Sequence, residues 1–148
     1  MRKIKIILCI LCSMLFCFIN EESIIVHALE EKYIIETTIC IENIVETRVT
    51  SNKSASKTLK VKTNSNDVIW QVKVTGNFSY NGSTSICTSS SVSTQFYNKN
   101  RKLINQSSSK NKNIASATAK AGLYRNKVLI ETLTKSVSIS CDKNGNIK

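Results

Sequence analysis

The chain has 148 residues, a net charge of +11 and no proline. Its only histidine is His27, and its glycines (76, 82, 122 and 145) are dispersed. Beyond residue 28 this excludes a Ser-His or Cys-His nucleophile pair, a histidine-based metal site and a glycine-rich phosphate loop.

Arg2, Lys3 and Lys5 form a positive start, and Ile6 to Ile19 run almost unbroken apolar. That length suits a secretory leader and is short for a membrane span. Val26-His27-Ala28 fits a cleavage site, so residues 1–28 read as a signal peptide and the rest as secreted. An uncleaved anchor helix competes with this reading, but no stop-transfer pattern follows. Phe16 directly before Cys17 does not suit lipidation, and Cys9-x-x-Cys12 falls inside the leader.

Residues 29–53 form an acidic leading segment, either partly disordered or one extra strand. Over residues 29–50 five glutamates face Lys32 and Arg48, a net of −3. Residues 51–148 carry 16 Lys+Arg against Asp67, Glu131 and Asp142, a net of +13. Nearly all these cations are lysines, which give diffuse attraction to an anionic surface and lack the planar fork of arginine.

Residues 54–148 read as one basic β domain. Thr58–Thr63 can supply its first strand. Val68–Tyr80 alternates, with Val68, Trp70, Val72, Val74, Phe78 and Tyr80 on one face and, apart from Ile69, a polar set on the other. Gly76 on that face suggests a bulge or bend. Asn81-Gly82 signals a hairpin, with Ser83–Thr88 as the returning strand. Ser91–Tyr97 reads as another strand, with Val92, Thr94 and Phe96 on one face. Asn98–Asn113 is polar and basic and reads as a loop. Ile114–Tyr124 alternates alanine with Ser, Thr and Lys, and its β context favours a strand. A turn at Arg125-Asn126 leads to Val128–Cys141, where Leu129, Leu133, Val137, Ile139 and Cys141 share a parity. The expected fold is all-β, an antiparallel β-sandwich or small barrel of about six to seven strands.

Cys40, Cys87 and Cys141 follow the leader, which allows one bridge and one thiol left over. Cys87 and Cys141 both lie in β-patterned stretches, so the expected disulfide joins them, and export makes it permissible.

The residues Ser54-Ala55-Ser56-Lys57-Thr58, Trp70-x-Val72-Lys73-Val74-Thr75-Gly76-x-Phe78-x-Tyr80-Asn81-Gly82-Ser83, Cys87-Thr88-Ser89 and Cys141-Asp142-Lys143-Asn144-Gly145-Asn146 occur in series. In this the chain resembles a set of uncharacterised short secreted Ser/Thr-rich proteins of Firmicutes. The resemblance spans roughly residues 54–146. It implies a signal peptide with a single β domain, and it implies no activity or site residue.

No catalytic motif emerges. Asp67 and Glu131 could act as a carboxylate pair only if the fold brought them into one cleft. The expected protein is therefore not an enzyme, and no cofactor or metal is implied. Lys99, Arg101, Lys102, Lys110 and Lys112 fall within fourteen residues with no acid among them. This run is the candidate contact for anionic cell-wall polymers or a membrane surface, although an ordinary solvated loop would look the same. Nucleic acid fits poorly, because no recognition motif is present and Trp70, Phe78 and Tyr80 lie on the core parity. The expected function is that of a secreted, non-catalytic binding protein. The alternative is a secreted antimicrobial or toxin-like protein whose acidic segment is a pro-segment.

Overall fold

A computed structural model describes residues 33–46 and 50–148. The expected leader, with His27, Cys9, Cys12 and Cys17, lies outside the described residues. Among the described residues there are seven strands and no helix: β1 (Ile34–Glu46), β2 (Ser51–Lys62), β3 (Val68–Tyr80), β4 (Ser85–Phe96), β5 (Arg101–Asn111), β6 (Ile114–Arg125) and β7 (Val128–Ser140). They form two antiparallel sheets, one of order β1-β2-β3-β4 and the other β5-β6-β7. β3 packs across β6 and β7, β4 across β5 and β6, and β2 across β7. The all-β sandwich expected from the alternating patterns is therefore what forms.

The core lies where the alternation is cleanest. Trp70, Val72, Val74 and Phe78 of β3 are buried, and so are Ala115, Ala117, Ala119 and Ala121 of β6. Val137, Ile139 and Cys141 complete that layer from the β7 side. Large side chains on one sheet meet methyl groups on the other, so the layers can approach closely. Trp70 also stacks on Phe96, with ring centroids 5.8 Å apart.

Gly76 is regularly paired, opposite Ala55 and Ser90, and is not itself a bulge. Its role is close approach. A Cβ there would sit 2.6 Å from Phe78 Cζ and 2.8 Å from Ala115 Cβ. The register shift comes one step later, at Asn77/Phe78, where Cys87 pairs with Phe78 and Ser89 with Asn77. The extra residue, Thr88, reverses the parity of β4. This is why Ser83–Thr88 and Ser91–Tyr97 read as two strands although they form one.

Three other expectations change. The stretch read as a basic loop holds β5, an edge strand. Beyond the bulge at Ile104 its inward side chains are polar and bond to β4: Thr94 Oγ1 donates to Gln106 Oε1 (3.1 Å), Ser108 Oγ to the Ser90 carbonyl (3.2 Å) and Lys110 Nζ to the Thr88 carbonyl (2.6 Å). The ambiguous residues before position 53 supply β1 and the start of β2. Leu129 leaves the core parity, because a register shift beside Tyr124 makes Ile130 the extra residue of β7. Leu129 then pairs with Tyr124 on the outer face.

Candidate functional site

Successive antiparallel strands send alternate turns to opposite ends of the sandwich. One end gathers the β3–β4 turn, the β5–β6 turn and the C-terminal segment. There Gly82 N donates to the Lys143 carbonyl (2.9 Å), Cys87 N to Lys112 O (2.7 Å) and Cys141 N to Asn113 O (3.1 Å). The other end gathers the β2–β3, β4–β5 and β6–β7 turns, the first of them carrying Asp67. There Tyr97 N donates to Ile69 O (3.0 Å) and Tyr124 N to Asn100 O (2.8 Å).

This arrangement divides the expected basic run. Lys99 and Lys102 stand at the second end, whereas Lys110 and Lys112 stand at the first. Eight residues of extended strand separate Lys102 from Lys110 by about 26 Å. Arg101 is no surface contact at all. It opens β5 on the inward face, is 3% exposed, and its Nη2 donates to Glu131 Oε1 at 2.8 Å. Bidentate-capable arginine suits such a buried pair better than lysine would. With Glu131 committed to Arg101, the conditional carboxylate pair with Asp67 loses one member. Asp67 is exposed in the β2–β3 turn, where its N–H donates to Thr63 Oγ1 (3.2 Å).

Each end recruits cations that are distant in sequence. The first end adds Lys53, Lys143 and Lys148 to Lys110 and Lys112. Lys53 Nζ donates to the Gly145 carbonyl and lies 5.6 Å from the Tyr80 ring centroid. The second end adds Arg125 and Lys127, beside Lys99 and Lys102. These residues were missed because each is a lone charge at a turn, and a linear window cannot see turns that converge. Lys99, Lys102, Lys110, Lys112, Arg125, Lys127, Lys143 and Lys148 are all exposed. Within residues 50–148 Asp67 is the only exposed acid.

Asp142 and Glu36 are engaged locally. Asp142 Oδ1 accepts the N–H groups of Asn144 (2.8 Å) and Asn146 (3.0 Å), and Oδ2 accepts Asn146 Nδ2 (2.9 Å). These bonds from Asn146 hold the Asp142 carboxyl below the usual aspartate range. Glu36 of β1 pairs with Lys62 and Lys60 of β2, and the Lys62 bond lowers its pKa in the same way.

The expected disulfide is not formed. Cys87 and Cys141 are separate buried thiols beyond bonding distance. They flank the Lys112-Asn113 turn, and each sulfur is directed to a local carbonyl. Cys87 Sγ donates to Ser89 O (3.1 Å) and Cys141 Sγ to Asp142 O (3.5 Å). Burial pushes both thiols above their ordinary pKa. Cys40 on β1 is exposed.

A shallow depression of about 140 Å³ lies at the first end, lined by Thr50, Ser79, Tyr80, Asn81, Thr84 and Ile86. It carries no charged group. Among the described residues, no three His, Cys, Asp or Glu side chains gather as metal ligands would. No protein-family model, curated protein or solved structure matches the chain.

Proposed function

We propose that the chain is a secreted, non-catalytic binding domain that holds anionic cell-surface polymers or an anionic membrane surface through lysine charge. The observation that carries this reading is the division of charge. Exposed lysines crowd both ends of the sandwich, while Glu131 is taken up by Arg101, Glu36 by Lys60 and Lys62, and Asp142 by the chain's own turn, which leaves Asp67 as the one exposed acid within residues 50–148. Such an arrangement leaves the positive field uncompensated and directs it outward at the turns. The hydrated, mobile ammonium groups suit a repeating polyanion or a crowded headgroup layer better than one shaped ligand.

The alternative, a toxin-like protein with a removable acidic pro-segment, receives less support. Part of the acidic stretch is β1, a strand of the four-stranded sheet, and its Glu36 is bonded to β2. Removing it would strip a strand and open a new sheet edge.

The test is retention of the secreted chain on purified anionic wall polymer across a salt series. Retention at low salt that falls steeply as salt rises supports the reading. Absence of binding at low salt, or retention unchanged at high salt, contradicts it.

A further inference from the structure

The β6–β7 hairpin opens β7 with three apolar residues in succession. Val128 is 63% exposed, Leu129 44% and Ile130 49%. A run of exposed apolar residues costs solubility and is normally avoided unless it serves contact. Neither face of the strand can bury this one, because the extra residue at Ile130 turns Leu129 to the outer face.

On that outer face the apolar groups converge over a glycine. The position a Cβ of Gly122 would take lies 2.7 Å from Leu129 Cδ1, 2.9 Å from Ile104 Cδ1 and 3.0 Å from Tyr124 Cε2. Ile104 is itself the extra residue at a register shift in β5. Two bulges, one on each strand flanking β6, thus bring Ile104, Tyr124 and Leu129 together on the solvent side.

Cations surround this patch. Lys102 Nζ stands 6.0 Å from the Tyr124 ring centroid. Arg125 precedes the hairpin turn and Lys127 lies in it, where positive φ at Asn126 and Lys127 makes a tight two-residue connection. Lys99 sits in the adjoining turn, next to the Asn100 carbonyl that accepts the Tyr124 N–H. An apolar tip with a tyrosine and a rim of lysine and arginine matches an anionic bilayer. There, apolar side chains enter the headgroup boundary while cations meet the lipid charge. A soluble polyanion offers nothing to the apolar tip, and a neutral protein groove offers nothing to the rim.

We infer that the β6–β7 hairpin, with Ile104 and Tyr124, is a membrane-docking tip that inserts Val128, Leu129 and Ile130 shallowly into an anionic lipid surface. This rests on the anionic-surface reading above and narrows it to lipid at one end of the molecule. Among its described residues the first end, with Lys53, Lys112 and Lys143, exposes Ile86 and Ile114 but no apolar run like that of β7, and it stays free for other anions.

The experiment is co-sedimentation of the secreted chain with vesicles of phosphatidylcholine alone and of phosphatidylcholine with phosphatidylglycerol, beside retention on anionic wall polymer. The wild-type chain should sediment with the phosphatidylglycerol vesicles and only weakly with neutral ones. V128S and the pair L129S/I130S should each weaken vesicle binding, the pair by roughly tenfold, and leave polymer retention unchanged. K102Q/K127Q should weaken vesicle binding by about tenfold. Val128 is the most exposed of the three, so V128S keeps the test open if L129S/I130S does not fold. Vesicle binding unaffected by the apolar variants overturns the insertion. Polymer retention without vesicle binding overturns the lipid assignment but leaves the broader function standing, and loss of both overturns both. A dimer that V128S dissociates, with no vesicle binding, would assign the tip to a second copy and also overturn the inference.

Discussion

Arg101 reaches across β6 to Glu131, joining the first turn of β5 to β7 by a 2.8 Å ion pair with an almost fully buried guanidinium. The pair fixes the register of the two outer strands of the smaller sheet just below the proposed docking tip. Removing one member strands the other charge in a dry site, which is the costly case for a buried pair. Glu131→Ala should destabilise the fold by about 3 kcal/mol, whereas the double change Arg101→Met with Glu131→Leu should recover most of that loss. Urea denaturation of the three proteins checks this. Equal stability of Glu131→Ala and wild type would show that the pair contributes nothing.

Gly76 and Gly82 should respond to alanine for different reasons. Gly76→Ala puts a methyl group against the Phe78 ring and Ala115, so one sheet must move, at a cost of about 1–3 kcal/mol. Gly82→Ala meets no atom within 4 Å, and its cost of about 1 kcal/mol comes only from φ of +82°. Thermal unfolding should rank Gly76→Ala below Gly82→Ala. Widened sheet spacing, read as added exchange of β6 amides, should appear only in Gly76→Ala.

Buried Cys87 and Cys141 should resist thiol reagents at neutral pH, since burial favours the protonated thiol and the thiolate is the reactive form. Exposed Cys40 should be modified first, as site-resolved mass spectrometry of the native chain would report. Both buried pKa values are raised above those of the unfolded chain. Their contribution to stability is therefore complete below the ordinary thiol pKa and is lost as pH rises through the folded values. An intact mass two daltons lower before reduction, mapped to Cys87 and Cys141, would contradict the separate thiols.

Asp142 organises the segment that follows it. Its pKa is lowered, so its contribution is present above the ordinary carboxylate pKa and is lost as pH falls through the depressed value. Acidification should free residues 142–146 for protease or amide exchange before the strands open. Asp142→Ala should show the same loosening at neutral pH, because Asn144 and Asn146 lose their shared acceptor.

The fold was legible where the alternation ran uninterrupted. On the inner face of β3, Trp70, Val72, Val74 and Phe78 lie in the core as expected, but Val68 and Tyr80 are only half-buried, and Ile69, skipped at a register shift against β2, is buried as well. The alanine side of β6 was read as strand despite its helical propensity, because burial against β3 sets its conformation. Bulges defeated the reading elsewhere. One residue out of step at Thr88 split β4 in two, and another at Ile130 placed Leu129 in the core although it lies outside. β5 stayed hidden because its inward residues are Gln106, Ser108 and Lys110, which bond to β4 instead of packing against it. The candidate site was half legible. Four of its five cations are exposed, but Arg101 is buried by Glu131, a residue thirty positions away. The convergence of Lys53, Lys143, Arg125 and Lys127 on the two ends follows from chain reversal, which no local pattern records.

Lysine charge at the ends of the sandwich is proposed to bind anionic surfaces. The most direct measurement of this is affinity for a soluble anionic wall polymer at several salt concentrations. The wild-type chain would be compared with one carrying Lys99, Lys102, Lys112, Arg125, Lys127 and Lys143 as Gln. The account predicts that wild-type affinity falls steeply with salt and that the substituted chain, still folded, binds weakly with a shallow salt dependence. Equal affinity and equal salt dependence of the two proteins would contradict it.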